Sequence, residues 1–436
     1  MIAAWQNYNR LLFFSQPRSG LFFAPTCAII IMIKSKGSGQ MLNRTYTSML
    51  QEKDVIFEIF HYALSRVREI GAENVFDFSL GNPSVSPPPQ VAAAIKAELD
   101  DRPPLALHGY SPSFGLPEAR AAVADSLNRR YGCHYGAEHI FMTAGAASAL
   151  AHALRALASP GQEIVTCAPC FSEYRPYCAG AGLTLKIVPA SQEDFQIDFA
   201  ALDKAIGENT AAVLINSPNN PSGAVYSTAT VQRLAQLLRY KSDELGRPLY
   251  LISDEPYRDI VFKDVDSPYI ANLYEDTLTC YSYSKSLSLP GERIGYLAVN
   301  PDCCEAQKIV EICPQISRTI GHNGAASLFQ RVIARTGDAM AELSVYEKNK
   351  DILCRALKEY GYRFVEPGGS FYMFPRTPEA DAFAFCLRAR KYELMLVPGD
   401  IFACPGHFRI ACCVPTERVE KALPAFRALA EDYGMI

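Results

Sequence analysis

The chain reads as an α/β protein, with a large domain built on a mostly parallel seven-stranded sheet covered by helices and a smaller α+β domain behind it. Three observations predict this. Seven short apolar runs rich in Val and Ile recur between residues 139 and 299. Helical spacing of apolar residues separates them, the signature of a parallel sheet buried on both faces. The 436 residues are 49% hydrophobic and 20% charged, enough for a large ordinary core.

The elements follow in order. Residues 1–51 hold no Asp or Glu but carry Arg10, Arg18, Lys34, Lys36, Arg44 and the only tryptophan, Trp5. The apolar run Leu21–Ile33 contains Pro25 and is too short to span a membrane. No small-x-small cleavage pattern follows it. Residues 1–40 are therefore expected to be a non-native leader or unstructured extension, with Met41 as the natural start; a transit or signal peptide and a structural arm are the alternatives. An N-terminal arm with part of the small domain is expected over 41–82, the large domain over 83–323 and the C-terminal small domain over 324–436.

Helical runs cover Leu116–Tyr131 and Ala146–Leu157. Strand-like runs are His139–Met142, Glu163–Cys167, Leu183–Pro189, Ala211–Asn216, Tyr250–Ser253, Leu278–Ser282 and Arg293–Val299. Beyond them come a helix at Ala341–Tyr360, strands at Tyr362–Phe364 and Phe371–Phe374, and a helix at Ala380–Tyr392. Strands at Leu394–Pro398 and Phe408–Cys412 and a final helix at Glu417–Tyr433 complete the chain.

Charge and cysteines narrow the function. Lys+Arg 42 against Asp+Glu 46 gives a net charge of −4, which argues against a nucleic-acid surface. The 14 cysteines include the doublets Cys303-Cys304 and Cys412-Cys413, unlike a disulfide framework. Free thiols in a cytoplasmic protein are the simpler reading. Seven scattered histidines, with no second CxxC to match Cys167–Cys170, predict no metal site.

Ligands of parallel sheets sit at the carboxyl ends of the strands, and four loops there carry chemistry. Thr143-Ala-Gly-Ala-Ala147 opens a helix with small residues, letting backbone N–H groups approach an anion; a tight turn is the plainer reading. Asn216-Ser-Pro-Asn-Asn-Pro-Ser-Gly223 is a rigid loop that can aim an amide at a ligand, or only a turn. Ser253-Asp-Glu-Pro-Tyr257 puts a carboxylate at the end of the most apolar strand, where it caps a helix or faces a ligand. Ser282-Tyr-Ser-Lys-Ser286 places a lysine among hydroxyls, either solvated or a Schiff-base former made reactive by burial.

Taken together, N-x-P-x-N-P-S-G, then S-D-E-P-Y, then S-x-S-K with Arg293 after it, the chain resembles the class I aminotransferases. These are pyridoxal-phosphate enzymes of fold type I, typified by aspartate aminotransferase, and the resemblance runs from about Phe76 to Arg409. It implies pyridoxal 5'-phosphate as cofactor, bound through Lys285, which also moves the proton. It implies Asp254 at the pyridinium nitrogen, Asn220 and Tyr257 at the phenolic oxygen, and Phe171 stacked on the ring. Gly145, Ala146, Ala147, Ser282 and Arg293 would hold the phosphate, joined by Tyr110 of a neighbouring subunit. Arg409 would grip the substrate α-carboxylate, with Gly81 closing over it and Asn220 alongside.

Two departures bear on affinity. Phe171 replaces the usual Trp or Tyr, and Ala146-Ala147 replace hydroxyl-bearing residues. The resemblance further implies a homodimer with shared sites, acting on an amino acid and a 2-oxo acid, with no nucleic-acid or membrane partner. Arg318, placed after Lys285 and before Asn323 as in dicarboxylate-specific members, points to aspartate or glutamate as donor and 2-oxoglutarate as acceptor; a surface ion pair is the plainer reading. C–S lysis, β-decarboxylation and cyclase-type elimination remain open on the same site. A non-catalytic regulator would need an added winged-helix domain, and the residues before Met41 are too few for one.

Overall fold

A computed structural model describes residues 42–50, 54–189, 191 and 193–436. The chain divides into two compact units, Met1–Lys53 and Asp54–Ile436. The described part of the first contains a helix, Arg44–Met49. The expected leader over 1–40 lies outside the described residues.

In the second unit the apolar runs become strands, preceded by the short β1 (Phe76–Asp77). They are β2 (Ile140–Thr143), β3 (Glu163–Cys167), β4 (Thr184–Val188), β5 (Thr210–Asn216), β6 (Tyr250–Asp254), β7 (Thr277–Ser282) and β8 (Gly295–Val299). The sheet order is β2-β8-β7-β6-β5-β3-β4. Only β8 runs antiparallel to its neighbours; the remaining pairs are parallel. All seven residues of β5 are buried. Its Ala212 and Leu214 enter the core that contains Leu150 and Val310, while Val213 and Ile215 meet Leu234 and Leu238. Side chains alternating between two helix-covered faces explain why these strands read as unbroken apolar runs.

The helices carry matching stripes. Thr228–Leu245 buries Val231, Leu234, Ala235 and Leu238 at helical spacing, starts under the Ser227 side chain, which accepts from the Thr230 N–H, and stops at left-handed Gly246. Ser327–Thr336 packs Val332 and Ile333 against Val123 and Ile140, so the core of the large sheet continues past residue 323.

The C-terminal part contains β9 (Tyr372–Met373), β10 (Leu394–Met395), β11 (Val397–Pro398) and β12 (Phe408–Ala411). β11, β12 and β9 form an antiparallel sheet, and β10 pairs in parallel with β1. The run expected as one strand, Leu394–Pro398, thus divides its hydrogen bonds between two sheets. Tyr362–Phe364, also expected as a strand, joins no ladder: Tyr362 instead donates its hydroxyl to the Phe426 carbonyl at 3.1 Å and packs its ring edge-on against Phe408. Helices Ser344–Glu359 and Thr416–Asp432 close this layer over Leu353, Phe408 and Phe426. Among the described residues no helix is long and apolar enough to cross a membrane.

Candidate active site

The carboxyl ends of the parallel strands open into a cavity of about 260 Å³. Sequence reasoning named ten of the residues around it. Ala146, Ala147, Phe171, Asn220, Asp254, Tyr257, Ser282, Lys285 and Arg293 line it, and Gly145 adjoins them.

Lys285 sits on the single-turn helix Tyr283–Ser286 that follows β7. Ser282 caps this turn, its hydroxyl accepting from the Ser284 N–H at 3.2 Å. The Lys285 amine donates to the Gly81 carbonyl at 2.5 Å and lies 5.2 Å from the centre of the Phe371 ring. Burial draws its pKa down to about 8, Cys413 opposes the shift, and the positive charges of Arg293 and Arg409 add to it. A poised amine of this kind is the form that attacks carbonyl carbon and accepts protons near neutral pH.

Asp254 ends β6 and is buried. Asn216, at the end of β5, pins this strand end by donating to the Asp254 carbonyl at 2.8 Å. The Asp254 Oδ2 accepts from the Tyr174 hydroxyl at 2.6 Å, whereas Oδ1 has no partner. Burial raises this carboxyl to about 7, against the Tyr174 hydrogen bond, with Glu255 adding to the rise. A buried carboxylate with one oxygen unspent is costly unless a cation or donor meets it.

The anion end is built by exclusion of side chains. Gly145 has φ +85, and a Cβ there would lie 2.8 Å from an Arg293 guanidinium nitrogen and 3.4 Å from the Ser282 hydroxyl. The N-terminus of helix Ala146–Leu157, the Ser282 hydroxyl and the Arg293 guanidinium therefore meet at one point. Arg293 is itself in the left-handed region, φ +51, held by bonds to the Pro290 and Ala144 carbonyls at 2.9 and 3.3 Å.

The substrate end lies one bond further. Arg409, buried in β12, donates to Asn220 Oδ1 at 3.0 Å and to the Ser79 carbonyl at 2.5 Å, and its Nε is unpartnered. Its guanidinium stacks 4.6 Å from the Tyr372 ring centre. Gly81 lies so close to Tyr372 that a Cβ would fall 1.9 Å from the tyrosine hydroxyl, so any larger residue there would have to displace that ring. Tyr257 is buried with its hydroxyl 3.4 Å from that of Tyr372, and burial raises its pKa.

Two expected residues stand apart from the cavity of this chain. Tyr110 is fully exposed, and Arg318 is exposed on the helix Ala306–Ile320, bonded to Gln315 at 3.0 Å. Three residues that sequence reasoning did not assign take part: Tyr174 on Asp254, Tyr177 on the cavity wall and Tyr372 against Arg409. Tyr174 lies within a turn of Phe171, which was its one visible signal; Tyr372 looked like any strand residue.

These features fit the cofactor that the resemblance implies: an unspent carboxylate oxygen for a ring N–H, a side-chain-free cradle for a phosphate, and a poised amine between them. Comparison with known proteins agrees. The family of aminotransferases of class I and II matches residues 73–426. An aspartate aminotransferase of Thermotoga maritima is 29% identical over 80% of this chain and 90% of its own. A probable aspartate/prephenate aminotransferase of Thermus aquaticus is 30% identical over 73% of this chain and 82% of its own. A crystal structure of an aminotransferase from Eubacterium rectale superimposes with a TM-score of 0.88 at 42% identity, covering 91% of this chain and all of that one. The chain is thus a member of the class I and II aminotransferases, enzymes that work with pyridoxal phosphate.

Proposed function

We propose that this aminotransferase takes its amino group from aspartate or glutamate, passes it to a 2-oxo acid such as 2-oxoglutarate, and uses Lys285 as the proton carrier. The supporting observation is the convergence of the Lys285 amine, the unspent Asp254 oxygen and the Gly145 cradle on one cavity, with Arg409 one hydrogen bond away. Pyridoxal phosphate, when bound, supplies a carbonyl for the amino group and a ring that draws electrons from the substrate Cα.

The chain's own residues do the rest. Lys285 Nζ would carry the proton between the substrate Cα and C4′ of the cofactor. Asp254 would hold the ring N–H with Oδ1, a donor for the oxygen that the protein leaves unmet. Gly145, Ala146 and Ala147 offer backbone N–H groups to the phosphate, with Ser282 and Arg293 beside them. Asn220 and Tyr257 would bond the phenolic oxygen, and Phe171 would stack on the ring, all three lining the cavity. Arg409 binds the α-carboxylate with both arms, and the Gly81 segment covers it.

Tyr110 and Arg318 lie outside this chain's cavity. Their exposure supports a two-fold homodimer in which each copy lends Tyr110 to its partner's phosphate and Arg318 to the substrate's side-chain carboxylate. The free thiols support a cytoplasmic location.

The test is to mix the holoenzyme with single amino acids and follow conversion of the cofactor's absorbance to that of pyridoxamine phosphate. Acidic donors should convert it fastest. Arg318→Leu should lower kcat/KM for them roughly 100-fold while sparing aromatic donors. Equal loss for both classes would make Arg318 structural.

A further inference from the structure

Tyr174 is buried in the apolar core beside Cys170 and Cys178, with its ring edge-on to Phe171 at 5.7 Å. A hydroxyl in such surroundings must find a partner, since an unmet one costs more than the tyrosine's extra area gains. It finds a single partner, Asp254 Oδ2, at 2.6 Å from a position eighty residues earlier in the chain. Among the described residues that bond is the one side-chain donor to the carboxylate. Asp254 Oδ1 is buried and unpartnered.

The two facts are linked by geometry. A carboxylate at a strand end can turn about its Cβ–Cγ bond, and one short hydrogen bond from a fixed ring stops the rotation. Tyr174 opens the helix Tyr174–Gly180 and its ring belongs to the core that also contains Leu150, Cys280 and Leu297, with Phe171 edge-on to it, so the ring that carries the hydroxyl is itself held by packing. The carboxyl, raised by burial, is also drawn toward its charged form by this bond. We propose that Tyr174 is a positioning residue for the cofactor: it locks the Asp254 carboxylate so that Oδ1, and not Oδ2, is left for the ring nitrogen of pyridoxal phosphate. This rests on the reading of Asp254 given above.

The experiment compares two cofactors on the full chain, pyridoxal phosphate and its 1-deaza analogue, in which C–H replaces the ring nitrogen. Dissociation constants are measured by absorbance for the wild type, Tyr174→Phe and Asp254→Asn. Tyr174→Phe keeps the ring and its packing. It should weaken pyridoxal phosphate about 10-fold and leave the analogue unchanged, because the lost hydrogen bond acts only through Asp254 and the nitrogen. Equal weakening of both cofactors, or of neither, overturns the proposal. Asp254→Asn should remove the wild type's preference for the nitrogen-bearing ring. If it does so while Tyr174→Phe leaves the preference intact, Tyr174 is packing alone and the Asp254 reading stands. If Asp254→Asn leaves the preference intact, the Asp254 reading falls and the proposal with it.

Discussion

Asp254 and Asp259 lie five residues apart, both deeply buried, and the protein treats them in opposite ways. Burial pushes Asp259 up, but Arg258, Arg130 and Tyr281 outweigh it and hold it below the usual carboxylate range. Arg130 pairs with it directly, and the Tyr281 hydroxyl donates to it at 2.5 Å. Arg258 in turn bonds Glu255 at 2.9 Å and the Tyr296 hydroxyl at 2.6 Å, with the Tyr281 ring 4.3 Å away. Both oxygens of Asp259 and both of Glu255 are answered from within the chain, and among the described residues Arg258 Nε is the one buried side-chain atom of the cluster without a partner. Asp254 has one tyrosine and an unspent oxygen. The difference teaches how to tell a structural buried charge from a ligand site: the first is closed by protein, the second is one partner short.

Four variants separate the ligand-facing charges from the closed ones, and the strongest effect is expected at Lys285. Lys285→Ala should lower the amino-acid half-reaction by at least 10²–10⁴-fold, in the range of a lost general base, and remove the borohydride-reducible cofactor link. Stopped-flow absorbance reads the first and mass spectrometry the second. Turnover near wild type would remove Lys285 from the chemistry.

Arg258→Met is the structural counterpart. It leaves Glu255 buried without its ion pair and takes one of the cations that hold Asp259 charged, and should cost about 3–5 kcal/mol in urea unfolding of the holoenzyme. A loss under about 1 kcal/mol would show that the cluster is not closed in the manner described.

Asp254→Asn should act in the opposite direction on the cofactor-free chain. The folded carboxyl is raised to about 7 from the unfolded value near 4, so its stabilising contribution is present at low pH and is lost as pH rises through 7. At pH 8 the native state carries an unpaired buried charge that Asn lacks. The variant should therefore be more stable by about 1–3 kcal/mol at pH 8 and show no gain at pH 4, while binding pyridoxal phosphate more weakly. Calorimetry at the two pH values checks it; a loss of stability at pH 8 would mean that the carboxylate is already compensated.

Arg239→Ala sets the lower end. Its pair with Glu275, at 2.5 Å, is nearly half exposed on both sides, and its loss should cost less than about 1 kcal/mol. A loss as large as that of Arg258→Met would erase the distinction between closed and solvated charge pairs.

How much of this was legible in the sequence depends on the range of the interaction. The loops that carry Asp254, Lys285 and Asn220 could be located because each follows a short apolar run that ends at the sheet's rim, whereas the roles expected of these residues came from the resemblance. The loop of Gly145 could be located for the same local reason. The three asparagines of the loop after β5 looked alike, yet Asn216 and Asn219 serve the backbone at Asp254, Pro169 and Ser222, and only Asn220 reaches Arg409. Tyr362–Phe364 had strand composition but pairs with no strand, and Tyr362 bonds the Phe426 carbonyl instead.

The amino-acid order by itself determined the alternation of strands and helices, the strand ends and the types of residue waiting there, because periodicity, caps and turns act over a few residues. Tertiary structure alone decided which polar groups were met and which were left over. The pairing of Arg409 with Ser79, of Lys285 with Gly81 and of Tyr174 with Asp254 joins segments far apart in the chain. The unmet Oδ1 of Asp254 is buried only once the core has closed around it. Burial and hydrogen-bond satisfaction are properties of the packed whole, and no local pattern encodes them.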